Sequence, residues 1–459
     1  KTGKSQIGAS LTESHTGSFA GSHEMYNAFF ERLGIITVST PAELIETLKF
    51  ICVSGIPRGK KCAAFTCSGG GATLVADFGE ELGLEFPGFS QADTKIVSKL
   101  LPPIATVSNP LDYTTPIWGK KEFTKPLFSK VLEKLKVDYT LLLQDYPLAG
   151  LDNTKIHYLT DGGAFAEAAS GERIPGAIIS TIPENIDKQT RETFLSKGVA
   201  PLQGLAESLQ AIAKTVSWGL NRKGILDRLN LPLFNKSSIE NFSYLNEWEA
   251  KASISGQGIS IPKGVKSDCK DILMNAGKIG FPLAVKLLNK DLLHKTDIGA
   301  VQLNVKNEMQ LKKSVVTIQD NLKPYKDKYN SNFFLLEEML PAPICELVVG
   351  IKRDRHFGLV LTLGSGGVFA DLFKDYHLLL LPVQRDEIIQ KIMTLKAGKL
   401  IEGYRGRAGS NLNMVVDCIE RLIMFVLNSD TRIIEIEINP MFVFKEKVIV
   451  VDALLARED

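Results

Sequence analysis

Apolar positions along this chain recur in two alternating periods. Met25, Tyr26, Phe29, Phe30 and Leu33 fall on one face of a helix that Gly34 stops. A strand over 35–38 and a helix over 41–52, with Leu44, Ile45, Leu48 and Ile51 in register, complete a small first unit. Gly55-Ile56-Pro57-Arg58-Gly59 reads as a boundary. A second unit opens with a strand over 62–66, a Ser68-Gly69-Gly70-Gly71 turn and a helix from Ala72. Further strands are expected over 139–143 and 177–179, and a last helix over 206–218 gathers Leu209, Ile212, Ala213 and Val216. Pro232 and the polar run Asn235-Lys236-Ser237-Ser238 break the pattern, so 223–243 reads as a linker. The predicted units are therefore 1–54, 55–222 and 244–459. Strand-like runs alternating with helices argue an α/β fold built on parallel sheets.

Composition narrows the class. The 459 residues leave room for roughly three domains of ~150 residues. Lys and Arg total 54 against 52 Asp and Glu, a net charge of +2, which is not the basic footprint of a nucleic-acid partner. The longest apolar stretches, 423–427 and 378–383, fall far short of the roughly 20 residues a membrane span needs. The six cysteines show no CxxC and no metal-ligand spacing, which fits a reduced, cytoplasmic chain.

Two histidine segments carry the most specific chemistry. Ser14-His15-Thr16-Gly17 lies in a stretch where Gly, Ser and Thr supply 12 of the first 22 residues, too many for a packed element. Leu293-His294-Lys295-Thr296-Asp297 follows the lysine-bearing strand Ala284-Val285-Lys286-Leu287. A neutral imidazole is a competent nucleophile near pH 7. Two of them in separate units suggest a phosphoryl group carried between sites.

The third unit adds candidate ligands. In the strand over 432–440, alternation puts Ile434, Ile436 and Ile438 on one face and Glu435, Glu437 and Asn439 on the other. A following strand over 448–451 ends in Asp452. If the two strands are neighbours, hard oxygen ligands converge as Mg²⁺ requires; a half-exposed strand with a polar face accounts for the same pattern. Lys286 in an apolar strand calls for an anion, such as a nucleotide phosphate, or else it snorkels from the strand end. Gly364-Ser365-Gly366-Gly367 offers backbone N–H groups to phosphates or is an ordinary turn. The Ser68–Gly71 turn reads as close packing.

Together these segments resemble the ADP-forming acyl-CoA synthetases, relatives of succinyl-CoA synthetase. The third unit is similar to their ATP-grasp domain through Gly280-Phe281-Pro282 to Lys286, Leu293 to Asp297, Glu337-Glu338-Met339, Glu346-Leu347-Val348-Val349-Gly350, Phe357-Gly358, Gly364 to Gly367, Gly403-Tyr404-Arg405-Gly406 and Ile438-Asn439-Pro440. The first unit resembles the family's phosphohistidine loop, with Ser14 to Gly17 followed by Ala20-Gly21-Ser22, and the second carries its Asn109-Pro110-Leu111-Asp112 element. The resemblance implies flavodoxin-like parallel-sheet CoA-ligase domains followed by an ATP-grasp domain. It implies a ligase that turns acyl-CoA, ADP and phosphate into carboxylic acid, CoA and ATP, with His15 as the phosphorylated nucleophile and His294 as a relay or a structural residue. Lys286, Glu346, Gly366 and Gly367 would hold phosphates and neighbouring groups of ATP or ADP, and Glu337, Glu338 and Met339 the adenine. Asn439 and Asp452 would hold Mg²⁺, with Glu437 standing where relatives often have Asp.

There are departures. Relatives usually carry Glu where this chain has Asp371, and Arg where it has Leu379. Their Rossmann-like CoA-binding domain would precede Lys1, so the resemblance implies a fragment of a longer chain or a half that needs its CoA-binding part in trans; a homo-oligomer is the other partner expectation. A catalytically impaired or regulatory ATP-binding remnant of the family is the alternative. A carbon–nitrogen ligase of the wider ATP-grasp class would have no use for the Ser14–Gly17 loop.

Overall fold

Three of the five strands of the first sheet are buried at every position, as a sheet covered on both faces demands. The strands are β1 (Cys62–Thr66), β2 (Leu111–Asp112), β3 (Tyr139–Leu143), β4 (Gly176–Ser180) and β5 (Ala200–Gln203). All pair in parallel in the order β2-β1-β3-β4-β5, the doubly wound order of flavodoxin-like domains. Phe65, Leu142 and Ile178 pack with Phe128 and Phe165 on one face. Ala64, Leu141 and Ile179 pack with Leu209, Ile212 and Val216 on the other. This computed structural model describes residues 4–5, 23–147, 153–231, 241–293, 295–325, 327, 329, 331–367 and 375–459. The sheet belongs to one compact unit, Leu33–Asp227; the other comprises the described residues of Lys1–Arg32 and Arg228–Asp459.

Within Leu33–Asp227 the predicted strand at 35–38 is absent. None of the described strands pairs with it. Gly34 O instead accepts from Trp218 Nε1 at 2.6 Å, and Thr37 O from Lys214 Nζ at 2.8 Å. The last helix runs from Leu205 to Leu229 rather than stopping at Trp218. Ile225 is buried within it, and a Cβ on Gly34 would come within 2.3 Å of Ile225 Cγ2. Gly71 matches its packing role: a Cβ there would lie 2.9 Å from Thr66 Oγ1 and 3.2 Å from a Leu143 methyl.

The other unit contains β6 (Phe242–Tyr244), β7 (Gly264–Asp268), β8 (Leu283–Leu287), β9 (Val301–Val305), β10 (Phe333–Glu338), β11 (Cys345–Asp354), β12 (Gly358–Ser365), β13 (Tyr376–Leu380), β14 (Ile433–Val443), β15 (Val448–Val450) and β16 (Ala453–Glu458). They form a four-stranded sheet, β7-β10-β8-β9, and a seven-stranded sheet, β13-β12-β11-β14-β16-β6 with β15 on β14. Every pairing in both is antiparallel. The expectation of parallel sheets thus fails in this unit. Apolar runs do not encode direction, and β11 returns directly into β12 with no crossover helix.

Leu347, Val349, Leu361 and Ile436 pack beneath Val415, Ile419 and Leu422 of helix Leu412–Asn428. On the sheet's other face, helix His23–Arg32 sets Ala28, with Met25 and Phe29, against Val360, Leu380 and Phe357. Alternation along β14 runs from Ile436 to Ile438 and shifts by one at Asn439–Pro440, beyond which Met441 and Val443 are buried and the register with β11 slips. Ile433 joins that core in place of Ile434, because the register with β16 slips between Ile433 and Glu435.

Candidate functional site

The site begins at a helix start. Asn246 and Glu249 cap helix Glu247–Ser255 reciprocally, Glu249 N donating to Asn246 Oδ1 at 3.1 Å and Asn246 N to Glu249 Oε2 at 3.3 Å. That cap turns Glu247 and Lys251, one turn apart, inward beside Ala250 and Ile254, and all four are buried. On β8, Leu283, Val285 and Leu287 enter the apolar core and leave Lys286 on the opposite face; on β10, Glu337 takes the same side.

These four side chains meet. Lys286 Nζ lies 2.5 Å from Glu247 Oε1 and 3.1 Å from Glu337 Oε2, and donates to Val451 O at 3.0 Å. Lys251 Nζ lies 2.7 Å from Glu247 Oε1 and 2.6 Å from Glu337 Oε1. Lys295 reaches the far side of the same carboxylate, 2.9 Å from Glu247 Oε2, and bridges to Asp452 Oδ1 and Oδ2 at 3.3 and 3.4 Å. Lys286 is 5% exposed, so it does not snorkel; the anions that neutralise it are the chain's own carboxylates. Burial pushes the Glu247 carboxyl up, and Lys286, Lys251 and Lys295 more than reverse this, leaving it below the usual carboxylate range. Burial, the largest single influence, pulls Lys286 and Lys295 down, and their carboxylates together outweigh it, Glu247 with Glu337 and Asp452 at Lys286 and Glu247 with Asp452 at Lys295; both end above the usual lysine value.

The predicted metal ligands lie at the edge of this cluster. Asn439 N donates to Asp452 O at 3.3 Å, which places Asp452 beside Asn439. Asn439 Nδ2 donates weakly to Glu437 Oε1 at 3.5 Å. Glu435 turns elsewhere, to Lys352 at 3.1 Å and the Tyr244 hydroxyl at 3.4 Å. Among the described residues, no three His, Cys, Asp or Glu side chains make a metal cage. The donor set of an amide oxygen and one or two carboxylates, open to solvent, still fits Mg²⁺, which keeps waters and takes few protein ligands.

The glycine turn folds over Glu346. Gly366 N donates to Glu346 O at 2.7 Å, and a Cβ on Gly366 would sit 3.0 Å from the Glu346 backbone. Gly367 adopts a φ of +95°, a conformation that favours glycine. Burial alone raises the Glu346 carboxyl above its usual range. Of the predicted hinge, Glu337 belongs to the lysine cluster, whereas Glu338 is exposed and accepts from Lys263 N at 2.9 Å. Met339 N donates to Pro282 O at 3.1 Å. Leu379 is buried in the sheet core. His15, His294 and Asp371 lie outside the described residues.

Glu247, Lys251 and Lys295 are absent from the sequence-based site. A glutamate and a lysine four apart, on the face that carries Ala250 and Ile254, were the available signal for the first two.

A family model of the ATP-grasp domain matches residues 238–456, and one of the succinyl-CoA ligase like flavodoxin domain matches residues 1–51. The beta subunit of acetate–CoA ligase (ADP-forming) I of Pyrococcus furiosus is 31% identical over 222 residues, covering 48% of this chain and 94% of that subunit. The chain belongs to the ADP-forming acyl-CoA synthetase family. A second member, the 4-hydroxybutyrate–CoA ligase (ADP-forming) of Nitrosopumilus maritimus, is 26% identical over 97% of this chain, which spans 64% of that relative's length. A solved synthetase, the dinucleotide forming acetyl-coenzyme A synthetase 1 of Ca. Korarchaeum cryptofilum, aligns at 30% identity over 47% of this chain and 94% of that one, with a TM-score of 0.43. In this synthetase-family chain the lysine cluster, the glycine turn and the Asn439–Asp452 edge all fall within the ATP-grasp match.

Proposed function

We propose that this chain provides the nucleotide site and the histidine carrier of an ADP-forming acid–thiol ligase. The observation that carries this reading is the buried cluster of Lys251, Lys286 and Lys295 on Glu247 and Glu337, opening on Asp452 and Asn439. An ammonium group at a partly open edge, Lys295 on Asp452, backed by the buried Lys286, is matched to a polyphosphate. Lys286 and Lys295 would orient the nucleotide phosphates, the Gly366–Gly367 backbone would approach them without side-chain obstruction, and Glu346 would hold neighbouring groups. The Glu337–Met339 segment would carry the adenine. Asn439 and Asp452, with Glu437, would hold Mg²⁺, which screens phosphate charge when bound.

The chemistry runs in three displacements. A phosphate oxygen attacks the acyl-CoA carbonyl carbon, and the C–S bond breaks to release CoA and leave an acyl phosphate. An imidazole nitrogen of His15 attacks that phosphorus and the carboxylate departs. A terminal oxygen of ADP then takes the phosphoryl group, breaking the P–N bond and yielding ATP. His294, the residue before Lys295 in the chain, would serve as a second acceptor. The protein's contribution is positioning and charge compensation, as phosphoryl transfer requires.

The test runs the last displacement backwards: the full chain is incubated with γ-labelled ATP and Mg²⁺ and scored for acid-labile, base-stable label. Label is expected on the wild type and lost in His15→Ala. Loss in His294→Ala alone would assign the first acceptor to His294. Nucleotide binding with no label in any variant would leave an ATP-binding remnant and overturn the carrier role.

A further inference from the structure

The lysine cluster holds one cation more than its buried carboxylates neutralise. Lys251, Lys286 and Lys295 face Glu247 and Glu337, three positive charges against two negative. Asp452 supplies the third carboxylate, and among the described residues only Lys295 pairs with it at ion-pair distance. The two partners differ in exposure: the Lys295 side chain is 10% exposed and that of Asp452 32%. Solvent can therefore reach the carboxylate that Mg²⁺ would use, while an ammonium already sits against both its oxygens.

A divalent ion arriving alone at Asp452 would strand Lys295 without its exposed partner and leave the cluster strongly positive. Leaving buried charge uncompensated is expensive. A polyphosphate arriving together with the metal removes that penalty, since its oxygens accept from the displaced ammonium. Lys251 cannot play this part, because both its partners, Glu247 and Glu337, are buried with it.

We propose that Lys295 is an internal counter-cation on Asp452, which keeps divalent ions off that carboxylate until nucleotide phosphates draw the ammonium away. Lys295 is thus a positioning residue that makes metal and nucleotide binding depend on one another. The inference rests on the nucleotide-site reading above, and its first arm is independent of that reading.

Mn²⁺ is titrated into the full chain without nucleotide and free ion is read by electron paramagnetic resonance. Wild type, Lys295→Met, Lys295→Gln and Lys295→Arg are compared, and the series is then repeated with ADP. Lys295→Met and Lys295→Gln are expected to bind Mn²⁺ about tenfold tighter than wild type without ADP, the size of an ordinary coupling between sites. The gain in Mn²⁺ affinity produced by ADP should shrink by the same factor, Lys295→Arg should behave as wild type, and adding Asp452→Asn to Lys295→Met should erase the new binding. Folded Lys295→Met and Lys295→Gln proteins that take up Mn²⁺ no better than wild type without ADP would overturn the proposal. Wild type that binds no ADP would instead refute the nucleotide site, while the ADP-free arm would still decide the role of Lys295.

Discussion

Single residues in this chain are legible when their neighbours are local and opaque when they are not. Lys286 stands out in the sequence as a charge inside an apolar strand, and it is buried as its position implies. Its partners are invisible there, since Glu247 lies 39 residues away. Glu247→Gln keeps the shape and leaves Lys251 and Lys286 sharing Glu337, with Lys295 on the part-exposed Asp452 alone; the expected loss is about 3–5 kcal/mol in denaturant unfolding at pH 7. A carboxyl held below its usual range contributes stability that is present above its unfolded pKa and vanishes as pH falls through the lowered value. The difference between wild type and Glu247→Gln should therefore be full at neutral pH and narrow below about pH 4. Asp161 behaves oppositely. It accepts from Tyr113 OH and Gly119 N, each at 3.0 Å, yet burial outweighs these bonds and pushes it up to about 6. The native state then binds the proton more readily than the unfolded chain, so stability should rise as pH falls from 7 toward 5. Asp161→Asn should remove that slope in thermal unfolding monitored across the same range.

At the scale of elements, the period of burial identifies what forms, and packing decides where it goes. The one-sided stripe of helix His23–Arg32 is plain in the sequence, but the surface it covers is not. Arg32 anchors it: Nη1 donates to Leu380 O at 2.9 Å and to Pro382 O, and Lys391 pairs with Glu31 at 2.6 Å. This explains the apolar run at 378–383: Leu379 enters the sheet core while Leu378 and Leu380 meet the helix, so both faces of β13 are covered. Arg32→Met should loosen the helix by about 1.5–3 kcal/mol, read as roughly ten- to hundredfold faster amide exchange over 23–32. The segment at 35–38 shows the converse. Its residues have strand propensity, but a strand exists only with a partner, and none of the described strands pairs with it.

Across the whole molecule, the two compact units give ligand binding a place to be read. ADP with Mg²⁺ at about 100 times its Kd should raise opening free energies in the ATP-grasp unit by about 2.7 kcal/mol. Amides of Leu33–Asp227 should show no such gain, and hydrogen exchange resolved by peptide checks both. By itself the sequence determined the strands at Cys62–Thr66 and Tyr139–Leu143, the helix that ends before Gly34, and the ordered motifs that mark the family. Each depends on residues close together in the chain, where a repeat of two or 3.6 residues exposes which side is buried. Only the tertiary structure decided that the strands after Phe242 run antiparallel, that Glu247 and Lys251 join Lys286, and that Lys295 sits on Asp452. The last two groups are 157 residues apart, and no local period records which charge a fold will bring against another.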